Sequence, residues 1–181
     1  MCSCGFAATS FIFCFMSRLT LDPFVFTKKT AFMQRVADLV RSGHNRYVQG
    51  TVPLEKAGAF AAKIDRLYAV GVTRLQAHRA RKDGLASARL LLLWQEQTSP
   101  VPALHWVLLV TDGELPAEAD REAWRDPRHA RITLTGYELV RVTKPEAKAP
   151  VWTWRYTRSR YDELRLACLL AIRHHQKQEL T

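Results

Sequence analysis

A single α+β domain, with a mainly antiparallel sheet of five to six strands and helices packed on one face, is the fold that the sequence predicts. Three observations carry that expectation. Short apolar segments alternate or run unbroken in some places, and apolar residues recur at helical spacing in others. Most links between successive strand-like segments are short, which favours antiparallel pairing. A chain of 181 residues with 48% hydrophobic content can also bury a core without disulfide or metal staples. The domain is expected over 27–181, after an apolar arm at 1–26. No internal repeat and no long linker marks a second domain.

The elements follow in order. Thr27 to Arg41 reads as a helix, with Phe32, Val36, Leu39 and Val40 at helical spacing and Gly43 placed to end it. Asn45 to Val52 reads as a strand. Pro53 suits the first turn of a second helix that runs to about Val70. The buried stripe of that helix is Ala57, Phe60, Ala61, Ile64, Leu67 and Tyr68, and Gly71 is its natural stop. Thr73 to Lys82 is basic and weakly alternating, and Asp83-Gly84 after it is a hairpin signal. The segment therefore reads as a strand paired with Leu85–Glu96, with a helix as the competing reading. The second helix and its flanking strands could form a parallel crossover.

After a Ser- and Pro-rich turn at Thr98–Pro102, Ala103 to Thr111 is apolar enough to be a central strand. Asp112-Gly113 breaks it, and Pro116 to Trp124 reads as a short acidic helix. Arg131–Leu134 and Tyr137–Thr143 are strand-like, with Gly136 as a bend or bulge between them. Beyond a loop at Lys144–Pro150, Val151 to Thr157 alternates cleanly and puts Trp152, Trp154 and Tyr156 on one face. The last helix is expected to start at Ser159, where Asp162 completes the capping-box spacing. Its buried stripe is expected to be Tyr161, Leu164, Cys168, Ala171 and Ile172.

Charge narrows the function more than any motif does. Lys and Arg number 27 against 17 Asp and Glu, a net charge of +10, and the pI is near 9.8. Such an excess attracts polyanions, and nucleic acid is the expected partner. Cys2, Cys4 and Cys14 crowd the start without zinc-knuckle spacing, and Cys168 sits among apolar residues as core would, so a reducing cytoplasm fits. The apolar stretch Cys4–Met16 is too short to span a bilayer and lacks the flanks of a secretory signal. No membrane association is expected. The stretch reads either as an arm that docks on a protein partner or as the product of a start codon placed too early, with Met16 and Met33 as alternative starts; the second reading is preferred.

Two basic clusters are the candidate nucleic-acid-binding residues. Arg74, Arg79, Arg81, Lys82 and Arg89, with His78, straddle the expected hairpin. Arg155, Arg158 and Arg160 follow the aromatic stripe, whose rings would stack on unpaired bases if exposed. Lys28, Lys29, Arg35 and Arg41 on the first helix could add backbone contacts. The bland reading of each is a solvated face, and of the aromatics a core face under the last helix. His44 and His129 read as single loop histidines, and His174-His175 as favourable charges at a helix C-terminus. No phosphate-cradling loop, nucleophile elbow or paired-carboxylate signature is found. No metal site and no cofactor is expected.

His105 lies inside the apolar strand Leu104–Val110. There the chain resembles rolling-circle replication initiators and conjugative relaxases, whose His-hydrophobe-His strand binds a divalent metal and whose nucleophile is a tyrosine on a later helix. His105 matches the first histidine, but Val107 occupies the second position. The resemblance spans roughly 45–172 in outline and implies a ferredoxin-like core, with Tyr156 and Tyr161 as candidate nucleophiles. A non-enzymatic nucleic-acid binder of a bacterial accessory or mobile element is the leading expectation. A nicking or RNA-processing nuclease and a protein-interaction subunit are the alternatives.

Overall fold

The computed structural model describes residues 25–94, 102–117, 119, 122–143, 145 and 149–173. Cys2, Cys4, Cys14, residues 1–24 of the arm, the turn at 98–101 and His174-His175 lie outside the described residues, as do parts of the expected helix at 116–124 and of the loop at 144–150. The chain divides into two compact units, Met1–Arg125 and Asp126–Thr181, each with its own sheet.

In the first unit the order is β1 (Val25–Phe26), α1 (Lys29–Arg41), β2 (His44–Pro53), α2 (Leu54–Tyr68), α3 (Arg74–Lys82), β3 (Ala88–Trp94) and β4 (Ala103–Thr111). The strands lie in the order β1-β3-β4-β2. β4 runs antiparallel to both β3 and β2, and β1 pairs parallel with β3 through Val25↔Leu92 and Phe26↔Leu93. Val25 and Phe26 thus belong to the sheet and not to an arm. The second unit carries β5 (Thr133–Leu134), β6 (Tyr137–Val142), β7 (Val151–Tyr156) and α4 (Arg158–Arg173). Its sheet is antiparallel in the order β5-β6-β7. The α+β class holds, but the expected single sheet of five to six strands is two sheets, of four and three.

Helices cover both faces of the first sheet, not one. Leu90, Leu92, Leu104, Leu108 and Val110 gather with Ala57, Ala61, Ile64 and Tyr68 of α2 in one buried cluster. Leu91, Leu93, Val107 and Leu109 alternate to the opposite face and are equally buried. α1 packs against β1, β2 and β3 and buries Phe32, Val36 and Val40. Two covered faces explain why β3 and β4 have unbroken apolar runs where a half-exposed strand would alternate.

The segment expected as a basic strand is α3. The Thr73 hydroxyl accepts the Gln76 N–H, and the Gln76 side-chain oxygen accepts the Thr73 N–H, closing a capping box. Asp83-Gly84 therefore turns a helix into a strand instead of joining two strands. α2 ends on Ala69 in a left-handed conformation, before the expected stop at Gly71, whose N–H donates to the Asp65 carboxylate. Gly113 has φ +130, and a Cβ there would lie 2.6 Å from the Ala86 nitrogen. That close approach lets Ala86 N–H donate to Glu114 O and Glu114 N–H to Gly84 O, both at 2.9 Å. These bonds tie the entry of β3 to the exit of β4.

In the second unit Thr135 and Gly136 both have positive φ, as a two-residue hairpin between β5 and β6 requires. α4 departs from its expected stripe. Ala171 is buried and Leu164 half-buried, but Cys168 is exposed, Tyr161 is 52% exposed and Ile172 58%. The Thr157 hydroxyl accepts the Arg160 N–H at 3.4 Å and fills the capping role expected of Ser159, which donates to Glu163 instead.

Candidate functional site

One cavity of the first unit, about 460 Å³, is lined by four arginines: Arg35 of α1, Arg74 and Arg81 of α3, and Arg89 of β3. Three elements bring them there. Arg35 lies half-buried beside the buried Val36. Arg74 opens α3, and Arg81 follows two turns later on the same face; the capping box at Thr73 fixes where that face begins. Arg89 shares the sheet face of Leu91 and Leu93, which is the face turned toward α1. Its Nη1 donates to the carbonyls of Val70 and Val72, at 2.8 and 2.9 Å, and so anchors the link between α2 and α3.

The electrostatics of this group are unbalanced. None of the four arginines forms a salt bridge among the described residues. Asp38, the carboxylate in the lining, is engaged by Arg41 at 2.7 Å. Burial lowers the pKa of Arg89, and the charges of Arg35, Arg81 and Arg74 lower it further. Mutual repulsion between guanidiniums is an energetic cost, and a neighbouring anion relieves it. Planar guanidinium forks suit the paired oxygens of a phosphate or carboxylate.

His44 completes the lining. It follows Gly43, begins β2 and is only 6% exposed, so it is not a loop residue. Its Nδ1 lies 3.0 Å from the Leu39 carbonyl, which can only accept, so Nδ1 carries the proton and Nε2 presents a lone pair. Nε2 is buried without a hydrogen-bond partner. Burial pushes the His44 pKa down to about 4; the Leu39 carbonyl opposes this, and Arg89, Arg81 and Arg35 reinforce it. The imidazole is therefore neutral near pH 7. No sequence motif surrounds His44, and its role follows only from the packing of α1 beside β2.

The other anticipated residues divide cleanly. Arg79 and Lys82 lie exposed on α3 and do not line the cavity. In the second unit Arg155 pairs with Glu138 at 2.7 Å, Arg158 with Asp162 at 2.9 Å and Arg160 with Glu163 at 3.1 Å. Burial pushes the Glu138 carboxyl up, but hydrogen bonds from Arg131 and Arg155 outweigh it and hold the group below the usual range. Trp154 and Tyr156 line a cavity of about 600 Å³ with these arginines. Trp152 and Trp154 are half-buried, and the Tyr156 ring packs 4.7 Å from that of Tyr137.

His105 lies half-buried on β4, opposite Thr51 and Leu93, and burial lowers its pKa. Tyr156 and Tyr161, both exposed, belong to the second unit. Among the described residues no three His, Cys, Asp or Glu side chains gather to hold a metal, and no helix is long and apolar enough to cross a membrane.

A second cavity of the first unit, about 500 Å³, is mainly apolar and includes Leu67, Val72, Ala80, Leu85 and Leu115. Ala77 and Ser87 line both this cavity and the arginine pocket, so α3 forms a wall of each. Fold and site together define an α+β protein with an arginine-lined pocket. Set against family models, curated proteins and solved structures, the chain matches none of them.

Proposed function

We propose that the chain binds nucleic acid through its phosphates, with Arg35, Arg74, Arg81 and Arg89 as the contacts. The observation that carries this reading is the convergence of four arginines from three elements on one cavity without a carboxylate to pair them. The net charge of +10 supplies the long-range attraction. The strand order β3-β4-β2, with a helical connection between β2 and β3, matches part of a ferredoxin-like core, whereas β1 beside β3 and helices on both faces depart from it. Nothing described around His105 favours the nicking reading over simple binding.

The test is fluorescence anisotropy with labelled single- and double-stranded DNA and RNA at about 50 mM salt, where electrostatic contacts are strongest. The double substitution Arg74→Gln/Arg81→Gln is expected to weaken binding about tenfold or more, since two charge-assisted contacts are lost. If the intact protein binds none of the four nucleic acids under these conditions, the proposal fails.

A further inference from the structure

The arginine pocket gathers the charges of half-buried Arg35 and Arg89 and of exposed Arg74 and Arg81 around one hollow. A nucleic-acid strand passing over a surface offers internal phosphodiesters, each with one negative charge and two free oxygens, spaced along a groove. The cations here instead meet around a single hollow of about 460 Å³, within the range of roughly 300–1,000 Å³ typical of pockets that enclose small ligands. Arg35, Arg74, Arg81 and Arg89 face one another across it, close enough for the other three to depress the pKa of Arg89. His44 lies in the lining as a neutral imidazole; its Nε2 is buried and can only accept, so the donors to an anion here are the arginines. Ser87, also buried, lies in the lining.

We infer that this pocket takes a phosphomonoester, the terminal phosphate of a nucleic-acid strand. The inference rests on the nucleic-acid reading above and narrows it to the strand end. A phosphomonoester carries a charge of about −1.5 to −2 near pH 7 and exposes three acceptor oxygens. It therefore meets more guanidinium forks at once than a diester and offsets more of their repulsion. A strand end also presents three free phosphate oxygens to one hollow, where an internal phosphodiester, tied to sugars on both sides, presents two. The charged and titratable groups that line the hollow are Arg35 and Asp38 from α1, Arg74 and Arg81 from α3, Arg89 from β3 and the neutral His44 from β2, with Asp38 held by Arg41.

The experiment compares one single-stranded oligonucleotide of about ten nucleotides in three forms, with a 5′-phosphate, a 3′-phosphate or hydroxyls at both ends, titrated against the full chain. One phosphorylated form is expected to bind at least tenfold tighter than the hydroxyl form. Arg81→Gln and Arg35→Gln, both away from the Arg89 anchor, are expected to abolish that preference while lowering affinity for the hydroxyl form only about twofold to threefold. A thermal melt of each variant shows whether it is folded. Equal binding of all three forms would overturn the strand-end inference and leave the nucleic-acid reading standing. Absence of binding to every form overturns both, and so does thermal stabilisation by inorganic phosphate alone without oligonucleotide binding.

Discussion

His44 illustrates what one residue can cost and signal. Its neutral form is favoured in the folded chain, with a pKa near 4 against 6.5 for the free side chain. Between those values the unfolded state binds more protons than the folded one, so stability rises with pH and is lost as pH falls from 6.5 toward 4. The full effect is about 3 kcal/mol. His44→Gln is expected to flatten the pH dependence of urea unfolding across that window relative to the parent chain, and identical slopes would mean that His44 is not held neutral. Arg81 presents the opposite balance. Removing one of four crowded charges relieves repulsion, so Arg81→Gln is expected to raise stability in phosphate-free buffer by about 0.5 kcal/mol while weakening anion binding. A melt showing the variant destabilised would contradict the repulsion argument. The arginine types of the site were legible in the sequence, since Arg74, Arg81 and Arg89 stood out as basic. Their meeting point was not, because chain distance does not reveal that α1, α3 and β3 converge. His44 had no readable signature.

At the scale of elements, α3 shows where periodicity fails. It buries only Ala77, so no apolar stripe marked it and its basic residues gave the weak alternation of a strand. The readable sign was Thr73 with Gln76 three residues on, a capping box that outweighs a hairpin signal at the far end. Thr73→Ala is expected to cost about 1 kcal/mol and to loosen the arginines it indexes, measured by denaturant unfolding and anion affinity together. Gly113→Ala should cost about 2 kcal/mol or more, because a left-handed φ and backbone contact at 2.6 Å leave no room for a methyl group. The strong strands β3 and β4 were plain in sequence because burial on both faces makes them continuously apolar. That same burial was the evidence against helices on one face only. In α4 the apolar stripe misled: periodicity reports a helix but not what covers it, and Cys168 lies exposed. Its thiol is expected to react with a maleimide under native conditions, and full protection until unfolding would refute that exposure.

For the whole molecule, the two anticipated arginine clusters differ in how their charge is balanced. Arg155, Arg158 and Arg160 of the second unit are matched by Glu138, Asp162 and Glu163, whereas the four arginines of the pocket form no salt bridge among the described residues. Arg155→Gln or Arg158→Gln is therefore expected to change nucleic-acid affinity less than about twofold, since exposed ion-paired charges contribute little. The affinity for single-stranded DNA should fall with salt on a logarithmic slope near −3 where the four arginines meet four phosphates at about 0.7 each, and of about −1 where they converge on one terminal phosphate. A slope near zero would show that the pocket does not neutralise phosphates. One detail of the first unit links its two cavities. The partition between an oily chamber and a charged one is a short helix whose one buried side chain is that of Ala77. Both chambers therefore share one wall, and a larger side chain in place of Ala77 would intrude on the two together.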